Sequence, residues 1–305
     1  MKTVGGAGVG ALRGGMLWLI LGVALVVAPE VRAACNCNSG PSDFAWLVNS
    51  KIRFNNDAMI VGNVGANLPG GMIKFGRRSC QGLNPLSPCT GNTVAVFSDF
   101  LTVGELSSIS GSRSNHLRVG PGAVVRNPPL LNVTLPLVSN DPSSVCGAFA
   151  DINCGGPDVS VPWYANAGTL LPGSYGTLVI GNGATFAMSA GSYSFCSVKI
   201  GSNVTGTIDE NTVLNVVGKF SMGSGTFLLT PTTTPFVLNS EGTLVRISQG
   251  SALEAEVRAP FGKVRMQRAS LILGCSCSES ITSDKNHLNF CEDGDGGSPS
   301  GAFVD

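Results

Sequence analysis

Eight stretches of the chain repeat one short pattern of apolar and polar positions: KIRFNNDAMI, MIKFGRRS, LRVGPGAVV, LVIGNGATF, VKIGSNVTG, FSMGSGTFL, VRISQGSAL and VRMQRASLI. In each, two apolar residues flank one residue that points the other way. A small or polar corner follows, and two residues later stands a residue tolerant of positive φ: Asp57, Gly122, Gly183, Asn203, Gly225 or Gly250. Arg78 and Ala269 depart from this rule. A chain turning sharply between two strands needs one left-handed residue, and Gly, Asn and Asp adopt that conformation most cheaply. The pattern therefore predicts a short strand, a tight corner and a second strand, many times over.

The corners fall at Asn55, Gly76, Gly120, Gly181, Gly201, Gly223, Ser248 and Gln267. Most are separated by about 20 residues, and the longer intervals Gly76 to Gly120 and Gly120 to Gly181 read as two and three turns; a fixed period of this size marks a solenoid. Equivalent residues then form columns about 4.8 Å apart. One inward column is Ile52, Ile73, Leu117, Leu178, Val198, Phe220, Val245 and Val264; a second, two residues later, is Phe54, Phe75, Val119, Ile180, Ile200, Met222, Ile247 and Met266. Period-two alternation puts both on one face, which no single coil could bury alone but a stack buries continuously. The expected fold is all-β: a single-stranded parallel β-helix of about ten coils, right-handed by default and stapled by disulfides.

Departures from the pattern set the expected organisation. Residues 34–50 are read as an N-terminal cap over one open end, 51–291 as the solenoid and 292–305 as a flexible tail. The region near 127–170, with NPPLLNVTLPLVSNDPSS, lacks the pattern and is expected to form irregular turns or an insertion.

Composition adds a compartment. Lys2 and Arg13, an apolar run from Met16 to Val27 and small residues around Ala33 read as a signal peptide over 1–33; the run is too short to span a bilayer, so no transmembrane anchor is expected. Lipid on Cys35 is the alternative, with Arg32 standing against it. Ten cysteines follow (Cys35, Cys37, Cys80, Cys89, Cys146, Cys154, Cys196, Cys275, Cys277 and Cys291), an even number that suits disulfides in a secreted chain. Cys80 with Cys89 and Cys146 with Cys154 are the expected local pairs, though spacing does not fix connectivity. His116 and His287 are isolated, so no metal or cofactor is expected. With 12% charged residues and a formal net charge of zero, no global field draws the chain to nucleic acid.

The stretch LPGSYGTLVIGNGATFAMSAGSYSFCSVKIG, from Leu171 to Gly201, and the later LVRISQGSALEAEVRAPFGKVRMQ resemble bacterial secreted β-solenoid (parallel β-helix) repeat proteins of uncharacterised function. The resemblance spans roughly residues 50–290. It implies an exported, cell-surface or extracellular protein, and it carries over no catalytic residue.

Candidate chemistry is sparse. The outward residue between the two inward positions is Arg53, Lys74, Arg118, Val179, Lys199, Ser221, Arg246 or Arg265, six of them basic in a chain with 19 Lys and Arg in 305 residues. Such residues keep a flat sheet soluble; stacked at coil spacing they also repel one another, and a polyanion such as an acidic polysaccharide or cell-surface glycan would relieve that repulsion.

Glu254 and Glu256 lie two apart on one expected strand and so share a face with Arg258, which makes them weak candidates for a glycosidase pair. Tyr175 and Tyr193 recur in Gly-Ser-Tyr with Trp163 and Tyr164 nearby, a structural ladder first and a sugar platform second. Asp293 and Asp295 lack the rest of a calcium loop. The hydrolase elbow, Walker loop and zinc-protease motif are all missing. The expectation is a secreted or surface-exposed, non-enzymatic structural or adhesive protein; a polysaccharide lyase or glycoside hydrolase, and a unit that self-associates through its ends, are the alternatives.

Overall fold

The computed structural model describes residues 44–66, 70–82, 96–109, 112–125, 146, 152–232, 234–284 and 288–290. Residues 1–33, the tail 292–305 and Cys35, Cys37, Cys89 and Cys291 lie outside these, as do His287, Asp293 and Asp295. The described strands pair in parallel throughout and build a β-solenoid.

One coil shows how the sequence makes the fold. Thr177–Ile180 runs along the first face, turns at Gly183 (φ 69°), continues as Thr185–Met188 on the second face, and closes with Gly191–Phe195 on the third. The next coil starts with Ser197–Ile200, and Leu178 lies beside Val198 and Ile180 beside Ile200. Ile180, Ile200 and Met222 stand in one column and are 1%, 4% and 1% exposed. Each such side chain contributes about 1.5–3 kcal/mol of burial. Both predicted inward columns are therefore real.

The corners are held by backbone geometry more than by residue type. Arg78 and Ala269 take the left-handed conformation (φ 55°) although neither favours it, and so do Leu106 and Tyr164. At several corners the residue after the left-handed one carries a hydroxyl. Ser79, Ser107, Thr226 and Ser251 are buried there. The Ser107 hydroxyl donates to the Gly76 carbonyl at 2.6 Å, that of Ser251 to Gly223 at 2.7 Å and that of Thr226 to Gly201 at 2.7 Å. Each hydroxyl clips one coil to the backbone of its neighbour. Where backbones approach most closely only glycine fits: a Cβ on Gly104 would lie 2.5 Å from the Gly76 carbonyl oxygen.

The coils do not stack in chain order. Residues 51–54 pair on one side with Met72–Phe75 and on the other with 280–283, near the end of the described chain. From Val159–Val161 the stack runs through 177–180, 197–200, 220–222, 244–247, 263–266 and 280–283, crosses to 51–54, and ends with 72–75, 100–103 and 116–119. Three expectations change. Gly120 and Gly181 are not three turns apart in one run; they sit near opposite ends of the stack. Residues 44–50 do not cap an end, because Phe44–Phe54 is an interior rung between Ser276–Ser283 and its sequence neighbours. And 159–170 is no insertion but a coil of the stack, with Val159–Val161 in register and Asn166–Leu170 paired through a register shift between Asn166 and Thr169. The remainder of that region, apart from Cys146 and residues 152–158, lies outside the described residues.

The segment that returns the chain is fastened to the stack at several points. Cys146 is bonded to Cys277 and Cys154 to Cys196, which overturns the expected Cys146 to Cys154 pair. Between these bonds the Ile152 N–H donates to Glu241 Oε1 at 2.8 Å, and the Asn153 carbonyl accepts from Ser174 Oγ at 3.1 Å. A local pair would close a short loop, whereas these bonds tie a crossing segment to distant rungs. Cys80 and Cys275 each belong to a further disulfide.

Candidate binding face

On the first face, residues between the two inward columns point outward, and stack order brings them into a single line. Read in register it is Lys199, Ser221, Arg246, Arg265, Thr282, Arg53, Lys74, Thr102 and Arg118. All six predicted basic residues lie in this one column, and every other position from Lys199 to Arg118 is a hydroxyl. The two halves of the chain, each carrying three cations, join across Thr282 and Arg53 into one ladder.

Five of the six are exposed and Arg246 is half-buried, its Nε without a hydrogen-bond partner. Among the described residues, no ion pair reaches any of the six; the ion pairs run from Arg77 to Glu105, Arg78 to Asp57 and Arg258 to Glu256. Lys51 and Lys263, two residues before Arg53 and Arg265, face outward in a parallel column with Ser280 between them. Their signal in the sequence was period-two spacing, which placed them on this face. At the corner beside Arg53 a groove is lined by Asn55, Asn56, Arg268 and Asp284, where Asn55 Nδ2 donates to Asp284 Oδ1 at 3.4 Å.

The other faces differ in charge. On the second face, outward positions include Thr185, Ala187, Thr205, Thr207, Phe227 and Leu229. On the third, Ser192, Asn215 and Asn239 form a hydrogen-bonded row, with Asn239 Nδ2 donating to Asn215 Oδ1 at 2.9 Å and Asn215 Nδ2 to Ser192 Oγ at 3.1 Å. Positive charge is thus concentrated on one side of the prism.

The carboxylate candidates are not a pair. The strand Ala252–Met266 turns a corner at Ala255, so Glu254 pairs beside Leu273 on the second face while Glu256 lies beside Val237 on the third. Glu254 is buried, and its Oε2 accepts the Thr230 N–H at 2.9 Å. Burial raises its carboxyl above the ordinary range, with the Thr230 bond opposing. Glu256 is buried against Arg258 at 2.7 Å.

The tyrosines are also committed to structure. Tyr193 is fully buried and donates to the Leu170 carbonyl at 2.8 Å, Tyr175 stacks on Phe195 at 5.2 Å, and only Trp163 and Tyr164 stand exposed. The chain matches no protein-family model and no curated protein.

Proposed function

We propose that this is an exported, non-enzymatic binding protein whose ladder face holds an extended polyanion, an acidic polysaccharide of a cell surface or matrix. The observation that carries this reading is the register that sets Lys199, Arg246, Arg265, Arg53, Lys74 and Arg118 in one column with hydroxyls between them and no acid. Nine positions span eight rung spacings, about 38 Å. That is the shape of a linear ligand, and guanidinium groups recognise carboxylate or sulfate with paired hydrogen bonds. Like charges directly opposite in a sheet are destabilising. A bound polyanion replaces that repulsion by attraction.

Solubility alone accounts poorly for the arrangement, since it would call for charge on every exposed face, and the outward positions of the second face are mostly Thr and apolar. The disulfides fit an oxidising compartment. Retention on heparin-agarose and on immobilised polygalacturonate, against neutral dextran, tests the reading. The wild-type chain is expected to bind both acidic matrices and elute with salt, and Arg246→Ala with Arg265→Ala to elute at clearly lower salt. Unchanged retention of the double variant removes the ladder from the account.

A further inference from the structure

Among the described residues the stack ends in two unpaired strand edges, and we infer that they join head to tail, so that a second copy of this chain continues the solenoid. This goes beyond the ladder reading and does not rest on it. Along the first face the inward positions are closed: Phe54, Phe75, Val103, Ile247 and Met266 are at most 1% exposed. Val119 occupies the same register on the last rung and is 45% exposed, and Val124 on that coil is 51% exposed. Among the described residues, Ser112–Val119 and Val124–Val125 have a strand neighbour on one side only. At the opposite end Val159–Val161 and Asn166–Leu170 likewise have a strand neighbour on one side only, beside Trp163, Tyr164 and Leu171 at 71%, 82% and 66% exposure.

The two end coils follow the same grammar. Leu117-Arg118-Val119-Gly120-Pro121-Gly122-Ala123 and Val159-Ser160-Val161-Pro162-Trp163-Tyr164-Ala165 match position for position. Both place a left-handed residue at the sixth position, Gly122 at φ 67° and Tyr164 at φ 57°. All strands run parallel, so the free edge of one end is the edge the other end lacks. Continuing the register sets Arg118 beside Ser160 of the second copy and His116 beside its Asp158, an acid opposite a basic rung. Joining like ends would instead bring His116 and Arg118 against their own copies and reverse the strand direction. The contact is heterologous and does not close on itself, so it propagates as a filament.

Sedimentation velocity of the full disulfide-bonded chain over a concentration series tests this. Wild type is expected to form species that lengthen with concentration. Val119→Asp with Val124→Asp blocks one end, and Trp163→Asp with Tyr164→Asp blocks the other; all four sites are exposed, and circular dichroism and the thermal midpoint at dilutions where wild type is monomeric verify that each variant is folded. Each variant alone is expected to stay monomeric, and an equimolar mixture to form dimers and nothing longer. A wild type that remains monomeric at its highest soluble concentration, assembly unaffected by either block, dimers of one variant alone, or a mixture that stays monomeric would overturn the inference.

Discussion

Arg53 and Thr282 stand side by side in one sheet although 229 residues separate the paired strands. That contact is the seam at which the first half of the chain is built onto the second. Below it Ile281 packs between Val264 and Ile52, fully buried.

Ile281→Ala is expected to cost about 2–5 kcal/mol, as a cavity in a well-packed core does. The loss should be uneven, because solenoid coils depend on their nearest neighbours. Hydrogen exchange should show residues 51–119 losing protection while 177–222 keep theirs. Uniform loss across both halves would contradict the seam.

The bond between Cys154 and Cys196 spans 42 residues, and its removal by Cys154→Ser with Cys196→Ser is expected to lower stability by about 2–4 kcal/mol. The effect should vanish when wild type and variant are compared under reducing conditions. Denaturant midpoints with and without reductant measure it.

Ala269 holds φ 55° without any glycine freedom. Ala269→Gly is expected to raise stability by about 0.5–1 kcal/mol, relief of left-handed strain exceeding the added freedom of the unfolded chain. Arg78→Gly at the equivalent corner should gain less, because Arg78 Nε also bonds Asp57 Oδ1 at 2.6 Å. A lower melting temperature for Ala269→Gly would contradict the corner geometry.

Glu254 is an acid whose folded carboxyl titrates above its unfolded value because it is buried. Its contribution is therefore fully present below the ordinary carboxylate pKa and is lost as pH rises through the raised one. Wild type should weaken relative to Glu254→Gln, which keeps an acceptor for the Thr230 N–H, as pH rises above the ordinary carboxylate range. Parallel pH profiles for the two chains would show that the carboxyl is not strained by burial.

The repeat was legible because a coil writes its geometry locally. Alternation around Arg53, Lys199 or Arg265 identifies inward and outward positions, and the corner two residues before Gly183 or Asn203 fixes the phase. Three rungs escaped notice. Ser160, Thr102 and Thr282 are outward hydroxyls with no signal of their own, so the column looked shorter than it is. The order of the coils was not legible at all. Periodicity measures the length of a turn, and it says nothing of which turn lies next to which. The cysteines misled for the same reason: Cys146 is eight residues from Cys154 in sequence but is bonded to Cys277.

The seam also governs when the molecule can be finished. During synthesis the strand Phe44–Phe54 emerges before one of the strands that flank it, Ser276–Ser283, which follows 229 residues later at the Arg53–Thr282 contact. The coils of residues 44–119 must wait with one flank bare until that strand is made, and such long-range closure is slow. A truncated product missing only its final coils would therefore lose the junction itself, leaving two half-ladders with nothing to align them.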